Sequence, residues 1–517
     1  MVTIIDRLID RVGENNAQLF RELKGRLKLR NFLLAGGLSV GGQLLLLTAL
    51  SDRACTNYVD SVVSSCVAYR WEIEWLDIFQ SLYWILSLLL FAGGVYLLVS
   101  DLTQEQRRGT FNFIRLSPQS SQTIFLGKLL GVPVLVYLTI LLAVPLHIIS
   151  AIAAGIPWGW IVSLYALVLV GASCFFAAGM LNTMFTTLQY QAIAWSLLGL
   201  WLGSSYLGMI SSHFSWYNLE YDSWTDWKWF AFPIGDNLGL ISLWAFITVA
   251  VANYWIWQAV NRQFNNPNAT LLNKKQSYWL VGSFQVWLLG LFWQFMPQEI
   301  YDDSLLFSLL PVAICTLVLL LVIGSVISPH RQTLMDWSRY RHQSQLNDEK
   351  IFGMPRLWQD LIFGEKSPAP VAIAINIGIT TLIWLPFWLL FPSNLSSKLQ
   401  AIAAWVMSIN LICLYALIIQ LGFLMKSKKR GIFCLSQVTT ILFLPMLLLV
   451  GLKSEAALPW MFSVFGSAWL VIPKTSAIII GFSLLGQWLA IAGLSFSLTT
   501  KLNRLGESES KQLLTSA

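Results

Sequence analysis

Few residues in this chain have the chemistry of a reaction centre. Its 517 residues include four His and six Cys, with no metal-ligand spacing among them. His147 stands beside Pro145 inside an apolar run, where a lone imidazole more often hydrogen-bonds for structure than relays protons. A phosphate cradle of the G-x-x-x-x-G-K-[ST] type is missing. In FGEKSPAP, Phe363 to Pro370, the position five before Gly364 is Gln359 rather than glycine. Cys174, Cys315, Cys413 and Cys434 lie within or beside apolar runs, where a thiol behaves as a small hydrophobe. Cys55 and Cys66 differ: ten residues separate them in a polar segment, and a disulfide is expected between them in an oxidising compartment. The chain is not expected to be an enzyme or to hold a metal or cofactor.

Charge gathers instead in EQRRGTFNFIRLSPQSSQTIFLGK, Glu105 to Lys128. Glu105 and Arg108 are three apart, near enough to pair on one helical turn. Gly109 lets the chain turn, and Thr110 is placed to cap FNFIRL, where Phe111 and Ile114 share a face. Ser117 and Pro118 suit the N-cap and first turn of the next element, which runs through Gly127 and Lys128. The pattern reads as a short amphipathic helix between two turns, lying on a membrane surface.

The surrounding composition requires that membrane. The chain is 56% hydrophobic and 11% charged, against about 25% charged in soluble domains. Twelve stretches supply the roughly 20 apolar residues that a crossing helix needs: 31–50, 76–100, 123–150, 157–180, 189–212, 236–260, 278–296, 305–328, 369–391, 399–424, 432–452 and 475–499. The expected fold is an all-α polytopic membrane protein, with no cleaved signal peptide. If the N-terminus is cytoplasmic, 27 of the 33 Lys and Arg fall on that side and six on the other. Both termini are then cytoplasmic by the positive-inside rule.

The net charge of +7 is accounted for by those loops and by anionic lipid, so no nucleic acid is expected as a partner. The 25 Trp, several in HFSWYNLEYDSWTDWKWF (His213 to Phe230), suit an interfacial belt. Residues 1–30 form an interfacial amphipathic helix, with Ile4, Ile5, Leu8, Ile9 and Val12 on one apolar stripe and Leu19, Phe20, Leu23 and Leu27 on another. The spans are almost bare of titratable groups, whereas ion-driven transporters need them at membrane depth. Energy is therefore expected from outside this polypeptide.

At the charged segment the sequence resembles the permease subunits of type-2 ABC exporters, which carry E-R-x-x-G-T-L-E-x-L-x-x-x-P-x-S and then G-K between their second and third spans. Glu105, Arg107, Gly109, Thr110, Phe111, Leu116, Pro118, Ser120, Gly127 and Lys128 fit that form, while Asn112 replaces an acid. ENNAQLFRELKGRLKLR, Glu14 to Arg30, is similar to the family's entry segment N-P-x-x-x-R-E-L-x-x-R through Arg21, Glu22 and Leu23, with Ala17 in place of the proline. The resemblance covers the first 260 residues or so. It implies a six-span module at 31–260 whose coupling segment, Arg108 included, docks a separate ATP-binding subunit that carries ATP and Mg.

A linker at 261–277, spans at 278–328, a basic cytoplasmic segment at 329–368, four further spans at 369–499 and a tail at 500–517 complete the expected organisation. Twelve spans would then be two unequal tandem halves. In the second, MKSKKRGIF (Met425 to Phe433) echoes QRRGTF and RLWQDLIFGEKSP (Arg356 to Pro368) echoes the entry helix. A second permease copy and membrane lipid are further expected partners. The implied location is the bacterial inner membrane, and the implied cargo is hydrophobic or amphipathic. Two alternatives stand beside this: a twelve-span secondary transporter, whose G-x-x-x-D-R-x-G-R-R pattern GVYLLVSDLTQEQRRG meets poorly, and a non-transporting scaffold or assembly factor.

Overall fold

A computed structural model describes residues 13–506 apart from 59–65, 186–187, 189, 213, 216–219, 222–226, 295–303, 345–349, 352–353, 426–435, 437–438, 441–468 and 470. The protein is a mostly helical, multi-pass membrane protein. Among the described residues ten helices are long and apolar enough to cross a bilayer. They divide into two compact units, Met1–Trp227 with Pro233–Pro267, and Lys228–Phe232 with Asn268–Ala517.

In the first unit, α1 (Ala17–Arg26) precedes α2 (Leu29–Ala49). An antiparallel hairpin follows, β1 (Ser51–Tyr58) with β2 (Cys66–Ile73), in a segment where the sequence suggested no strands. Its register sets Cys55 opposite Tyr69 and Cys66 opposite Tyr58. The side chains of residues 52–70 lie outside the described residues, and with them the expected disulfide.

Helix α3 (Trp75–Arg107) contains a π-helical turn at Leu89–Gly94. Then come α4 (Thr110–Arg115), α5 (Ser121–Gly131), α6 (Val134–Ala153), α7 (Trp158–Thr183), α8 (Gln191–Ser211) and α9 (Leu238–Asn265). The third expected span, 123–150, is thus two helices. Pro133 has no amide hydrogen to continue α5 and serves as the N-cap of α6.

Close backbone approach holds α3 to its neighbours. A Cβ on Gly199 would lie 2.6 Å from the Phe91 carbonyl oxygen in the π turn, and one on Gly94 would lie 2.4 Å from the Phe176 ring. Small residues let helices approach this closely where lipid supplies no hydrophobic drive between them.

The second unit contains α10 (Lys274–Trp293), α11 (Ser304–Val326), α12 (Arg331–Ser344), α13 (Arg356–Phe363), α14 (Pro370–Leu390), α15 (Leu395–Phe423) and α16 (Ala477–Gly506). Its core is aromatic, with Trp384, Phe387, Trp388 and Trp405 buried together. The seventh expected span, 278–296, is helical as α10 but is not among the ten apolar helices. Lys274, Lys275, Gln276 and Gln285 lower its mean hydropathy. Most of the eleventh expected span, 432–452, the MKSKKRGIF echo beyond Met425, the tail beyond Gly506 and the stripe at Ile4–Val12 lie outside the described residues.

Candidate functional site

The charged segment is built from the end of α3 onward. Arg108 and Gly109 close the helix, their amides donating to Gln104 and Gln106 carbonyls at 3.0 and 3.1 Å. Gly109 has φ +73°, left-handed backbone that a Cβ disfavours. Helix α4 follows with Gly109 itself at the N-cap and no side-chain cap. Thr110 does not cap it. Its hydroxyl donates back to the Glu105 carbonyl at 3.1 Å.

Phe111 and Ile114 share the buried face, as their spacing requires. Phe111 meets Phe264 of α9 edge to face at 5.5 Å, and the Arg115 guanidinium lies over both rings at 5.0 and 5.5 Å. Burial lowers the Arg115 pKa. The outward side carries Phe113 and Leu116, 75% and 82% exposed.

Ser120, not Ser117, caps the next helix, accepting from the Thr123 amide at 3.2 Å. The Ser117 amide is already used by α4's last turn, through the Ile114 carbonyl at 3.1 Å. Pro118 sits exposed in the bend between the two helices.

Helix α1 packs on α5 through two glycines. A Cβ on Gly127 would lie 2.8 Å from the Leu19 amide nitrogen, and one on Gly131 would lie 2.5 Å from Glu22 Cβ. Asn16 joins the helices, accepting from Leu19 N–H at 2.9 Å and donating to the Thr123 carbonyl at 2.8 Å. The packed face of α1 is therefore polar, with Asn16, Gln18 and Glu22 buried. Its apolar residues Leu19, Phe20 and Leu23 are half-buried.

Six charges, three of each sign, meet where α1, α3 and α5 converge. Lys128 is 1% exposed, and its Nζ lies 2.7 Å from Glu22 Oε1, Asp101 Oδ2 and Glu105 Oε1. Arg26 Nη2 reaches Asp101 Oδ1 at 2.6 Å and Glu22 Oε2 at 3.2 Å. Arg21 pairs with Glu105 and with Glu22.

Burial alone would push the Lys128 ammonium's pKa down, but Asp101, Glu22 and Glu105 outweigh it and hold it above the ordinary value. Burial would likewise raise Glu22, yet Lys128, Arg26 and Arg21 bring it below the ordinary carboxylate range. The oxygens of Glu22, Asp101 and Glu105 lie close enough together to hold a metal ion, but the Lys128 ammonium takes the position between them. The arrangement is a fixed internal cation, suited to bracing three helices.

The structure thus brings together Arg21, Glu22, Glu105, Gly127 and Lys128. The expected Glu105–Arg108 pair gives way to these longer-range partners, because the end of α3 lies against α1 and α5. Arg107, Arg108, Thr110 and Pro118 remain on the exposed side, Phe111 is buried beneath α4, and Leu23 lies at the flank of α1. Sequence reasoning missed Asp101, Arg26, Gly131 and Phe264. The first two carried a signal as charges bordering apolar runs, and Gly131 as the second glycine of G-x-x-x-G with Gly127. Phe264 carried none. Comparison with protein-family models, curated proteins and solved structures finds no match for this chain.

Proposed function

We propose that the chain is the membrane-spanning permease of an ATP-driven ABC exporter in a bacterial inner membrane. In this reading it crosses twelve times with both termini cytoplasmic, and it moves a hydrophobic or amphipathic cargo while a separate subunit binds and hydrolyses ATP with Mg. The single observation that supports it most is the six-charge clamp at the end of α3, the helix whose Glu105 carbonyl accepts from Thr110 at the start of α4. Because Lys128, Glu22, Asp101 and Glu105 tie α1, α3 and α5 at one point, a push on α4 is delivered to a membrane-crossing helix rather than absorbed in a loop. The exposed Phe113 and Leu116 are apolar groups awaiting a partner on a segment otherwise edged with arginine.

Affinity purification of the full chain should recover an ATPase subunit. Phe113→Asp, which alters only the outward side of α4, should abolish that recovery while thermal stability stays unchanged. Glu105→Gln should keep the partner but lower the ATP hydrolysis coupled to transport. Transport that persists without ATP and collapses with an uncoupler would refute the proposal in favour of an ion-driven transporter; a scaffold would show neither activity.

A further inference from the structure

A recess in the first unit, remote from the charged clamp, lies where the start of α7, the end of α8 and the start of α9 converge. Trp160, Leu167, Ile210 and Ile241 form its inner wall and are all buried. Met209, 57% exposed, marks the rim. Trp227 lies beside it, edge to face with Trp244 at a ring separation of 5.4 Å. The lining follows α7 from Trp160 to Leu167 and α9 from Leu238 to Ala245, about two helical turns of each.

The chemistry of the wall selects its occupant. Apart from Ser242, the lining is aliphatic and aromatic, and the Tyr206 hydroxyl is engaged in donating to the Leu167 carbonyl at 2.9 Å. A polar group entering would lose its water and find few partners, whereas hydrocarbon loses nothing by entering. The helices that form the recess are three of the ten apolar enough to cross a bilayer. Their neighbouring outward residues, Leu240 and Leu243, are exposed and apolar. The recess is thus a notch in the apolar surface of three helices long and apolar enough to cross a bilayer.

We infer that this recess is a binding site for one hydrocarbon chain of a membrane lipid, seated against Trp160 and Leu167 with its headgroup outside. The site rests on the multi-pass architecture alone and needs neither ATP nor a partner subunit, so it stands or falls separately from the export reading.

The test uses the full chain in phosphatidylcholine vesicles doped with a lipid carrying a diazirine near its acyl terminus. Irradiation and peptide mass spectrometry should place label on Leu167, Met209 and Ile241 above the level at lipid-exposed Leu141 and Phe482. Ser242→Trp fills the notch and should bring the label at Leu167, Met209 and Ile241 down to the level at Leu141, with Leu141 and Phe482 unchanged. Met209→Trp, at the exposed rim, serves the same purpose if the first variant fails to fold. Pocket label no higher than at Leu141, label indifferent to both substitutions, or equal label from a headgroup diazirine would overturn the site. Displacement by an exported amphiphile would assign the notch to cargo and overturn the lipid assignment.

Discussion

Two buried lysines show how the same side chain is stabilised in different ways. Lys128 has three carboxylates within 2.7 Å. Lys274, 2% exposed, donates instead to the Leu361 carbonyl and Ser367 hydroxyl at 2.7 Å and the Pro368 carbonyl at 3.0 Å. Removing one member of a buried ion cluster leaves uncompensated charge, so Lys128→Met should cost about 3–5 kcal/mol. Thermal unfolding in detergent should show a large loss that the added Glu22→Gln change partly restores. Lys128→Arg should not substitute, because a planar fork cannot occupy the position of a compact ammonium.

The pH responses of the two sites differ. Glu22, with its pKa held low, contributes stability that is present above its unfolded value near 4.5 and lost as pH falls through the folded value. Lys128, held high, contributes stability that is present below about 10.5 and lost only as pH rises through its folded value. The clamp should therefore be insensitive to pH across the neutral range. Burial pushes Lys274 down to about 7, partly opposed by Asp360. Between that value and 10.5 the unfolded chain holds a proton that the folded one lacks, so stability should rise with pH there. Unfolding curves collected from pH 6 to 9 should show that rise in the wild type and a flatter profile in Lys274→Met.

At the scale of elements, small residues and one left-handed turn fix the joint. Gly127→Ala would set a methyl against backbone, the Leu19 amide at 2.8 Å, and backbone cannot rotate away as a side chain can. Cysteines introduced at Asn16 and Thr123, which meet across the joint, should cross-link when Gly127 is kept and fail to do so in Gly127→Ala. At Gly109 nothing lies within 4 Å of an added Cβ, so only backbone strain opposes Gly109→Ala, about 1–2 kcal/mol. Its expected effect is weaker coupling of ATP hydrolysis to transport at unchanged expression.

The existence of this elbow was legible in local sequence: Gly109 turns, and Phe111 and Ile114 face inward. Its second cap was not, because Ser117 and Ser120 are equally good N-cap residues. The choice fell to Ser120 because α5 begins at Ser121, which brings the Thr123 amide to the Ser120 hydroxyl.

Within each unit, two helices about 100 residues apart run parallel. Ser39 and Gln43 of α2 donate to the Thr139 and Leu142 carbonyls of α6. In the second unit, Ser277 and Gln285 of α10 meet Asn376 and Trp384 of α14 in the same order. Parallel crossing helices must be separated by an odd number of crossings, and α11 supplies one between α10 and α14. Gln285 is fully buried, accepting from Trp384 at 2.8 Å, so polarity that reads as unfit for lipid is hidden inside the bundle. Reporter tags after Asn268 and after Gln298 should lie on opposite sides of the membrane, the first cytoplasmic. Finding both on one side would remove α10 from the crossings and reverse the orientation assigned to the loops beyond it.

The amino-acid sequence by itself determined that this chain belongs in a membrane, roughly where most of its long apolar helices fall and that a charged segment turning at Gly109 follows the second, because hydropathy and turn propensity are properties of contiguous residues. Tertiary structure decided which charges meet. Lys128 joins Glu22 across 106 residues of sequence and Arg26 joins Asp101 across 75, pairings that depend on how helices pack and leave no local periodicity. It also decided that α1 buries its polar face: a short helix can sink Asn16, Gln18 and Glu22 only where another element supplies their partners.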